Sequence, residues 1–282
     1  MIYKHIGIVG LGLIGSSFAQ LVKANLKNVV ISGRDCDSDT LAYAKSLDSF
    51  DHIVDDLGLF SDQVEIFFIA APIADIAPII NQMAVLYPQA LFTDMGSLKQ
   101  PIIEAVDPAV LPRFLPGHPM AGSEKVGIVN ASSSVLKNAN YFLIDLPESG
   151  DQTEHLKLFL EACSFSCHLV SADLHDEMVT YTSHMMYFLS VVAALLVKEG
   201  VSDHSFSSFF FGSGFESMTR LSQGSTQWGL HLAQFNKENL IVGLKNLEQD
   251  VVQLRTLIES EDELALKRFL SKAANFSVIS DD

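Results

Sequence analysis

Basic side chains and long apolar runs are both scarce in this sequence of 282 residues. Lysine and arginine together number 18 against 34 aspartate and glutamate residues, which gives a formal net charge of −16 at pH 7. Such a surface repels the phosphate backbone, and no run of basic residues offsets it, so we expect no nucleic-acid partner. An anionic small molecule is not excluded as a substrate, because cations inside a cleft act locally.

The longest apolar run in the second half of the chain is Met185–Val197, which Ser190 interrupts. A helix that crosses a bilayer needs about 20 apolar residues, so the run predicts a buried helix and no membrane partner. The first predicted strand, Ile6–Val9, begins without a targeting segment before it. We therefore expect a cytoplasmic protein.

Cysteine is also rare, and its three positions are Cys36, Cys163 and Cys167. An odd count without Cys-x-x-Cys spacing argues against a disulfide framework and a zinc site, and no metal site is predicted. We interpret the thiols as reduced. A redox pair formed by Cys163 and Cys167 is the alternative.

Short β-rich runs alternate with helical stretches in the first half of the chain. The runs are mostly unbroken and apolar, which is typical of parallel strands covered on both faces. The alternation predicts an α/β domain with a doubly wound parallel sheet over residues 1–172. The predicted strands are 6–9, 29–32, 66–70, 91–94, 141–145 and 166–170, and the predicted helices are 15–24, 38–46, 75–86 and 98–106.

Helical spacing dominates after about residue 172, and proline is absent from there onward. This stretch predicts a second, all-α domain over residues 173–282. We expect a homodimer formed through it, because Met185–Val197 and Phe206–Phe211 carry more apolar surface than one small helical domain buries. Its predicted helices are 174–199, 205–222, 226–257 and 261–273.

A glycine-rich turn joins the first predicted strand to the first helix. Gly10, Gly12 and Gly15 form the pattern Gly-x-Gly-x-x-Gly, with Leu13 and Ile14 between the last two. Between a strand and a helix, this pattern predicts a Rossmann-type dinucleotide site. Gly10 permits the tight turn, Gly12 lets the backbone approach a pyrophosphate, and Gly15 lets the helix pack on the strand. The pyrophosphate is expected at the helix N-terminus, where Leu13 and Ile14 lie.

The residues that follow the second strand bear on the choice of cofactor. Asp35 lies 20 residues after Gly15, where a carboxylate usually accepts hydrogen bonds from the ribose 2′-hydroxyl. Because a carboxylate repels a 2′-phosphate, the sequence favours NAD. Arg34 favours the alternative, NADP, because a guanidinium in this loop binds that phosphate.

Two further segments of the first half combine glycine with chemically active side chains. Gly117–Lys125 contains His118 and is dense in glycine and proline. We expect it to form a loop at the mouth of the sheet, where doubly wound folds bind ligands. Asp94–Lys99 ends another predicted strand and contains Ser97, for which the structural alternative is the N-cap of the next helix.

These motifs resemble those of the prephenate and arogenate dehydrogenase family, from the first strand to about residue 260. The most specific part is the His-Pro-Met-Ala-Gly loop. The matching segments are Gly117–Gly122 with Glu124 and Lys125, Asp94-x-Gly-Ser97-x-Lys99, Leu174-His175-Asp176 with Ser183-His184, and Gly212-Ser213-Gly214-Phe215 with Thr219-Arg220, Trp228 and Asn236-x-x-Asn239.

The resemblance implies the oxidative decarboxylation of prephenate, a cyclohexadiene with a ring hydroxyl, a ring carboxylate and a pyruvyl side chain. Hydride leaves the hydroxyl-bearing carbon for NAD, the ring carboxylate departs as CO2, and the product is 4-hydroxyphenylpyruvate. By resemblance, His118 takes the hydrogen bond of the ring hydroxyl, which a neutral imidazole does near pH 7. Ser97 is expected to orient that imidazole.

The same resemblance implies the substrate-binding residues. Arg220 is expected to bind a carboxylate through a bidentate pair, Glu124 to position Arg220, and Lys125 to attract the anion. The structural alternatives are a surface ion pair for Arg220 and solvated loop positions for the other two. Further expected substrate contacts are Ser183, His184, Tyr187 and Trp228, with core packing as the alternative for His184 and Trp228.

Two residues depart from the family pattern. Tyr187 stands where the family has the last histidine of Ser-His-Leu-Pro-His, and Glu216 replaces a lysine. A phenol donates a hydrogen bond but carries no positive charge at neutral pH, so an arogenate dehydrogenase using NADP is the first alternative. A non-catalytic NAD-binding sensor is the alternative from another class. A β-hydroxyacid dehydrogenase is disfavoured, because the residues around Lys198 do not resemble a catalytic site.

Overall fold

The computed structural model describes residues 3–122, 125–201 and 210–276. The chain divides into two compact units, Met1–Asn236 and Lys237–Asp282. The strands are β1 (His5–Val9), β2 (Val30–Arg34), β3 (His52–Ile53), β4 (Ile66–Ile69), β5 (Leu91–Asp94), β6 (Gly117–Pro119), β7 (Asn140–Ile144) and β8 (Ser166–Val170).

The α-helices of the first unit are α1 (Leu13–Asn25), α2 (Ser38–Ala44), α3 (Ile73–Leu86), α4 (Gln100–Ala105), α5 (Gln152–Ala162), α6 (Ala172–Val179), α7 (Met185–Val201), α8 (Ser213–Thr219) and α9 (Thr226–Phe235). The second unit contains α10 (Lys237–Glu259) and α11 (Glu263–Ala274). Single turns of 3-10 helix lie at Leu57–Leu59, Leu111–Arg113, Ile128–Asn130, Ser133–Val135 and Arg220–Gln223, and a π-turn lies at Thr180–His184.

A parallel sheet in the order β3-β2-β1-β4-β5 carries the glycine-rich turn. Its two faces are both covered, as the neighbouring residues Phe67 and Phe68 of β4 illustrate. The Phe68 ring packs against Phe18 of α1, with centroids 4.5 Å apart. Phe67 lies on the other face, where it stacks on Phe92 of the neighbouring strand β5 and belongs to the cluster that contains Ile80 of α3. This double coverage explains the unbroken apolar runs and confirms the predicted doubly wound sheet.

A second sheet, in the order β6-β7-β8, continues from the first through a parallel bridge between Phe92 and Phe114. Strand β6 is antiparallel to β7, and β7 is parallel to β8. The sequence predicts the strand 141–145 as part of the main parallel sheet, whereas β7 lies in this second sheet. The predicted loop Gly117–Lys125 begins instead with a strand, Gly117–Pro119. A strand of three residues that ends in Pro119 is too short to show an alternating pattern.

Helices fill the second half of the chain, as the sequence predicts, but two boundaries differ. The predicted helix 226–257 ends at Phe235 and restarts at Lys237, because Asn236 leaves the helical conformation. The predicted helix 174–199 is interrupted by the π-turn. Part of the predicted helix 205–222, and Phe206–Phe209 with it, falls outside the described residues.

The helical stretch Ala172–Val201 is long and apolar enough, by length and composition alone, to cross a membrane. In α7 only Met185, Tyr187 and Ser190 are buried. Leu196 is 70 % exposed, so the prediction of a buried helix is wrong for the single chain. A helix that is apolar on every side cannot turn all of its surface toward the core of one small domain.

Candidate active site

The glycine-rich turn after β1 has the space and the amide groups that a pyrophosphate requires. Gly10 has φ +93°, and a Cβ there would overlap the backbone of Ala70. A Cβ at Gly15 would overlap the carbonyl of Gly10, whereas a Cβ at Gly12 would meet nothing within 4 Å. Gly12 precedes α1 without a side-chain cap, so the first amides of the helix face open space.

Asp35 lies directly beside this turn. Its carboxylate accepts hydrogen bonds from the amides of Leu11 (2.6 Å) and Asp37 (2.9 Å). The neighbouring Arg34 is half-buried, and within the described part of the chain its Nε has no hydrogen-bond partner. Asp35 and the glycine-rich turn therefore form the arrangement that binds the ribose and pyrophosphate of a dinucleotide.

A buried ion pair lies at the end of β5. Lys99 Nζ donates to the Asp94 carboxylate, and both side chains are fully buried. The pair also fixes Gly117: its N–H donates to Asp94 Oδ1 (3.2 Å), and its carbonyl accepts from Lys99 Nζ (2.6 Å). Burial raises the pKa of Asp94 and lowers that of Lys99, while each charge opposes the shift of the other.

His118 lies in the middle of β6, next to Gly117, which packs its backbone against the ring of Tyr141. The His118 imidazole is half-buried, and its Nδ1 lies 2.9 Å from Nε2 of His175. Burial lowers the pKa of His118 well below its ordinary value, and the charges of Lys99, His175 and His184 lower it further. The imidazole is therefore neutral at pH 7 and able to accept a proton.

His175 and Asp176 come from the first turns of α6, which Ser171 caps by accepting from the amide of Leu174. His175 Nδ1 lies 2.7 Å from Asp176 Oδ1, and both residues are buried. The sequence includes this pair in a family motif but assigns it no role. Its position could not be predicted, because the contact with His118 joins residues 57 positions apart.

Asp176 also caps α4, since its two oxygens accept from the amides of Lys99 and Gln100, both at 2.8 Å. Ser97, the sequence-based candidate for that cap, precedes the helix by three residues and is half-buried. In the described part of the chain, Ser97 forms no hydrogen bond with His118. The observed partner of the imidazole is therefore His175.

The π-turn Thr180–His184 directs His184 into a second buried group. Its Nδ1 lies 3.0 Å from Nδ2 of Asn236, which also donates to Oγ1 of Thr180 (2.8 Å). Among the described residues, nothing pairs with Nε2 of His184. Burial lowers the pKa of His184 to about 4, so it is neutral at pH 7. Ser183, beside it, is half-buried.

Trp228 joins the neighbourhood of His184, with ring centroids 5.9 Å apart. Tyr187 contacts the other side of Trp228 at 5.1 Å and is only 6 % exposed. The Tyr187 ring occupies the space beside Gly229, where a Cβ would lie 2.6 Å from its Cε1. The residue that departs from the family pattern is therefore packed into the protein rather than directed into solvent.

The remaining candidates lie in less enclosed positions. Arg220 is exposed and lines an open depression of ≈ 720 Å³ together with Glu216 and Gln223. Lys125 is exposed, and Glu124 lies outside the described residues. The structure thus brings His118 close enough to His184 for a charge on His184 to lower the pKa of His118.

The chain contains three cysteines. All three are free thiols. Burial raises the pKa of Cys163 and of Cys167 to about 12, so neither forms an appreciable amount of the nucleophilic thiolate at pH 7.

The model of the prephenate dehydrogenase nucleotide-binding domain matches residues 18–167, and that of the prephenate dehydrogenase dimerization domain matches residues 171–272. The chain belongs to the prephenate dehydrogenase family. It is accordingly an oxidoreductase with an NAD-binding domain of the Rossmann type and a helical dimerization domain, as the sequence predicts.

Individual relatives cover nearly the whole chain. A prephenate dehydrogenase of Bacillus subtilis is 29% identical over 280 residues, which are 95% of this chain and 74% of the relative. The crystal structure of a Synechocystis arogenate dehydrogenase is 28% identical with a TM-score of 0.79, over 96% of this chain and 97% of that one. An Aquifex aeolicus prephenate dehydrogenase, described in complex with hydroxyphenyl propionate and NAD+, has the same fold at 23% identity, with a TM-score of 0.87 over 97% of each chain.

Proposed function

We propose that this enzyme oxidatively decarboxylates prephenate and that His118 accepts the proton of the substrate's ring hydroxyl. The observation that carries the proposal is a neutral, half-buried imidazole in β6, next to the carboxyl end of β5 in the sheet that carries the glycine-rich turn. Its neighbour Gly117 is bonded to Asp94, the last residue of β5, and Gly10 follows the end of β1. The candidate base and the cofactor site thus share the edge where doubly wound folds bind ligands.

The residues around the turn would hold NAD. The first amides of α1, with Leu13 and Ile14, would bind the pyrophosphate, and the Asp35 carboxylate would bind the adenosine ribose. When bound there, NAD would supply the acceptor for the hydride that leaves the carbon carrying the hydroxyl. Proton transfer to His118 allows that hydroxyl to become a carbonyl while the ring carboxylate leaves as CO2.

The substrate carboxylates require cations or hydrogen-bond donors. We assign Arg220 to one of them, because it lines an open depression and a guanidinium binds a carboxylate in a bidentate manner. Lys125 and Glu124 follow β6 in the sequence and are proposed to attract the anion and to position Arg220. Ser183, His184, Tyr187 and Trp228 are proposed to line the substrate site, and Ser97 to lie beside His118.

A second copy of the chain is the proposed partner of the exposed apolar face of α7. Val192 and Leu195 are 55 % and 50 % exposed in the single chain, and the matching family model is that of a dimerization domain. Burying such a face between two copies removes apolar surface from water, which stabilises a dimer. A division into domains near residue 172 and a cytoplasmic location stay predictions.

Arogenate is the alternative substrate, and Tyr187 is the residue that favours it. Arogenate carries an amino acid where prephenate carries a pyruvyl group, so the side-chain end of the site decides between them. The B. subtilis relative is named for prephenate and the Synechocystis structure for arogenate. A non-catalytic sensor is less well supported, because His118, Ser97 and Arg220 are all retained.

The test is to mix the purified enzyme with prephenate or arogenate, each with NAD or NADP, and to follow the absorbance of the reduced cofactor. We expect turnover with prephenate and NAD that falls at least about 100-fold in His118→Asn. The matched control is His168→Asn, which removes an exposed histidine of β8 and should leave turnover unchanged. Turnover with arogenate but not with prephenate would identify arogenate as the substrate. Cofactor binding without turnover of either compound would favour the non-catalytic sensor.

A further inference from the structure

We propose that His175 and Asp176 are positioning residues that fix the tautomer of His118, so that its Nε2 is the proton-accepting atom. The proposal rests on the proposed function for its catalytic consequence, but the tautomer is a property of the protein alone. The side chains form an unbroken hydrogen-bonded series from β6 to α6, with separations of 2.9 Å and 2.7 Å.

The direction of the hydrogen bonds follows from the Asp176 end. Both of its oxygens already accept from backbone amides, one from Lys99 and one from Gln100. The side chain therefore acts as an acceptor toward His175 as well, and His175 Nδ1 carries the proton. With the proton on Nδ1, the single N–H form of His175 has its lone pair on Nε2, and this atom accepts from His118.

The same reasoning applies to His118. Its Nδ1 donates to His175, and its pKa lies well below the ordinary value, so the ring is neutral with Nε2 unprotonated. In water, a neutral histidine prefers the opposite tautomer, with the proton on Nε2. Such a ring would present a donor to the substrate hydroxyl and could not take its proton. His175 and Asp176 thus reverse the intrinsic tautomer preference of His118 and favour the tautomer whose Nε2 can accept a proton.

Asp176 is held in place by more than one element. Its oxygens bind the first residues of α4, and its backbone carbonyl accepts from the Thr180 hydroxyl (2.6 Å). His175 is only 3 % exposed, and its ring lies edge-on to Phe142 of β7, with centroids 5.9 Å apart. The pair therefore has little freedom to rotate away from His118.

The first test reads the tautomer directly, by nitrogen-15 NMR of the histidine-labelled enzyme at neutral pH, with the His118→Asn variant to assign the signal. We expect the proton of His118 on Nδ1 in the wild type and predominantly on Nε2 in His175→Phe. A wild-type His118 with its proton on Nε2 would overturn the proposal, whatever the enzyme turns over.

The second test separates positioning from packing through turnover. In His175→Phe we expect kcat to fall about 10- to 100-fold, the usual effect of removing a residue that orients a functional histidine, while KM and NAD affinity stay unchanged. His175→Gln, whose side-chain oxygen accepts from His118, should recover part of kcat. The matched control is His168→Phe, which contacts the same Phe142 ring at 5.5 Å from the exposed face and should turn over normally.

The two tests fail in different ways. If the tautomer changes in His175→Phe but no form of the enzyme oxidises prephenate, the positioning role stands and the proposed function fails. If prephenate is oxidised equally by the wild type and His175→Phe, the positioning role is overturned and the proposed function stands.

Discussion

The carboxylate of Asp94 and the ammonium of Lys99 form an ion pair from which water is fully excluded. Between them they bind the N–H and the carbonyl of Gly117. Because His118 is the next residue, this pair fixes the backbone from which the candidate base projects.

Replacing Lys99 by methionine would leave the Asp94 carboxylate buried without its counter-charge. We expect Lys99→Met to lower the free energy of unfolding by about 3–5 kcal/mol, measured by urea denaturation. The matched control is Lys157→Met, which removes the exposed ion pair with Glu154 and should cost less than about 1 kcal/mol. Similar losses in the two variants would contradict the role assigned to the buried pair.

The low pKa of His118 predicts the pH dependence of turnover. Because the proposed base acts in its neutral form, kcat/KM should stay high as the pH falls below 6.5 and decline only near the lowered pKa. A pH profile of kcat/KM measures this, and the limb should be absent from the residual activity of His118→Asn. An acid limb centred at or above pH 6.5 would show that His118 is not shifted in this direction.

The buried His184 links stability to pH. Its pKa of about 4 in the folded protein lies below the unfolded value of 6.5, so between these two the unfolded chain binds a proton that the folded one does not. The contribution is present above pH 6.5 and is lost as the pH falls through about 4, up to about 3 kcal/mol. Unfolding free energies of the wild type and His184→Gln should therefore converge in this interval, and a constant difference would count against the shift.

Gly229 leaves room for the ring of Tyr187, since a Cβ there would lie 2.6 Å from Cε1. We expect Gly229→Ala to lower the free energy of unfolding by about 1–3 kcal/mol through overpacking. The smaller ring of Tyr187→His should restore more of the loss when the two are combined than Tyr187→Phe, which removes the hydroxyl at 2.7 Å but keeps Cε1 at 2.6 Å. Calorimetry of the two double variants measures their unfolding free energies. Equal values would mean that the Tyr187 ring does not cause the overpacking.

Asp35 predicts the choice between NAD and NADP. The proposed role of its carboxylate is to bind the 2′-hydroxyl and to repel a 2′-phosphate. Asp35→Asn should therefore weaken the binding of NAD about 10- to 100-fold and reduce the preference for NAD over NADP. Isothermal titration with each cofactor gives both affinities. Asp37→Asn is the matched control from the same loop, because Asp37 caps α2 and should not affect NAD. If Asp35→Asn leaves both affinities unchanged, Arg34 becomes the candidate for the residue that determines the cofactor preference.

The sequence predicts the glycine-rich turn and the strands of the main sheet, because patterns of neighbouring residues determine them. The glycine pattern located the turn, because the passage from a strand to a helix is determined mainly by neighbouring residues, such as Gly15, where a Cβ would overlap the carbonyl of Gly10. Apolar runs located the strands of the main sheet. The three-residue β6 gave no such signal, although its His118 was identified by resemblance to the family.

What the sequence could not supply are contacts between distant segments. His175 and Asp176 are adjacent in a recognised motif, but nothing in their spacing shows that they meet His118 or the N-terminus of α4. The cap of α4 was assigned to Ser97 as an alternative because local capping is the usual solution, and a side chain 77 positions away from Lys99 provides it instead.

The π-turn at Thr180–His184 places a constraint on chain length rather than on residue type. Each residue of an α-helix advances the helix by about 100°, so removing the extra residue of a π-turn would rotate everything after it by that angle. His175 would keep its place, while His184 and Tyr187 would turn away from Asn236 and Gly229. Relatives that keep these contacts should therefore tolerate substitutions between His175 and Tyr187 more readily than a single insertion or deletion.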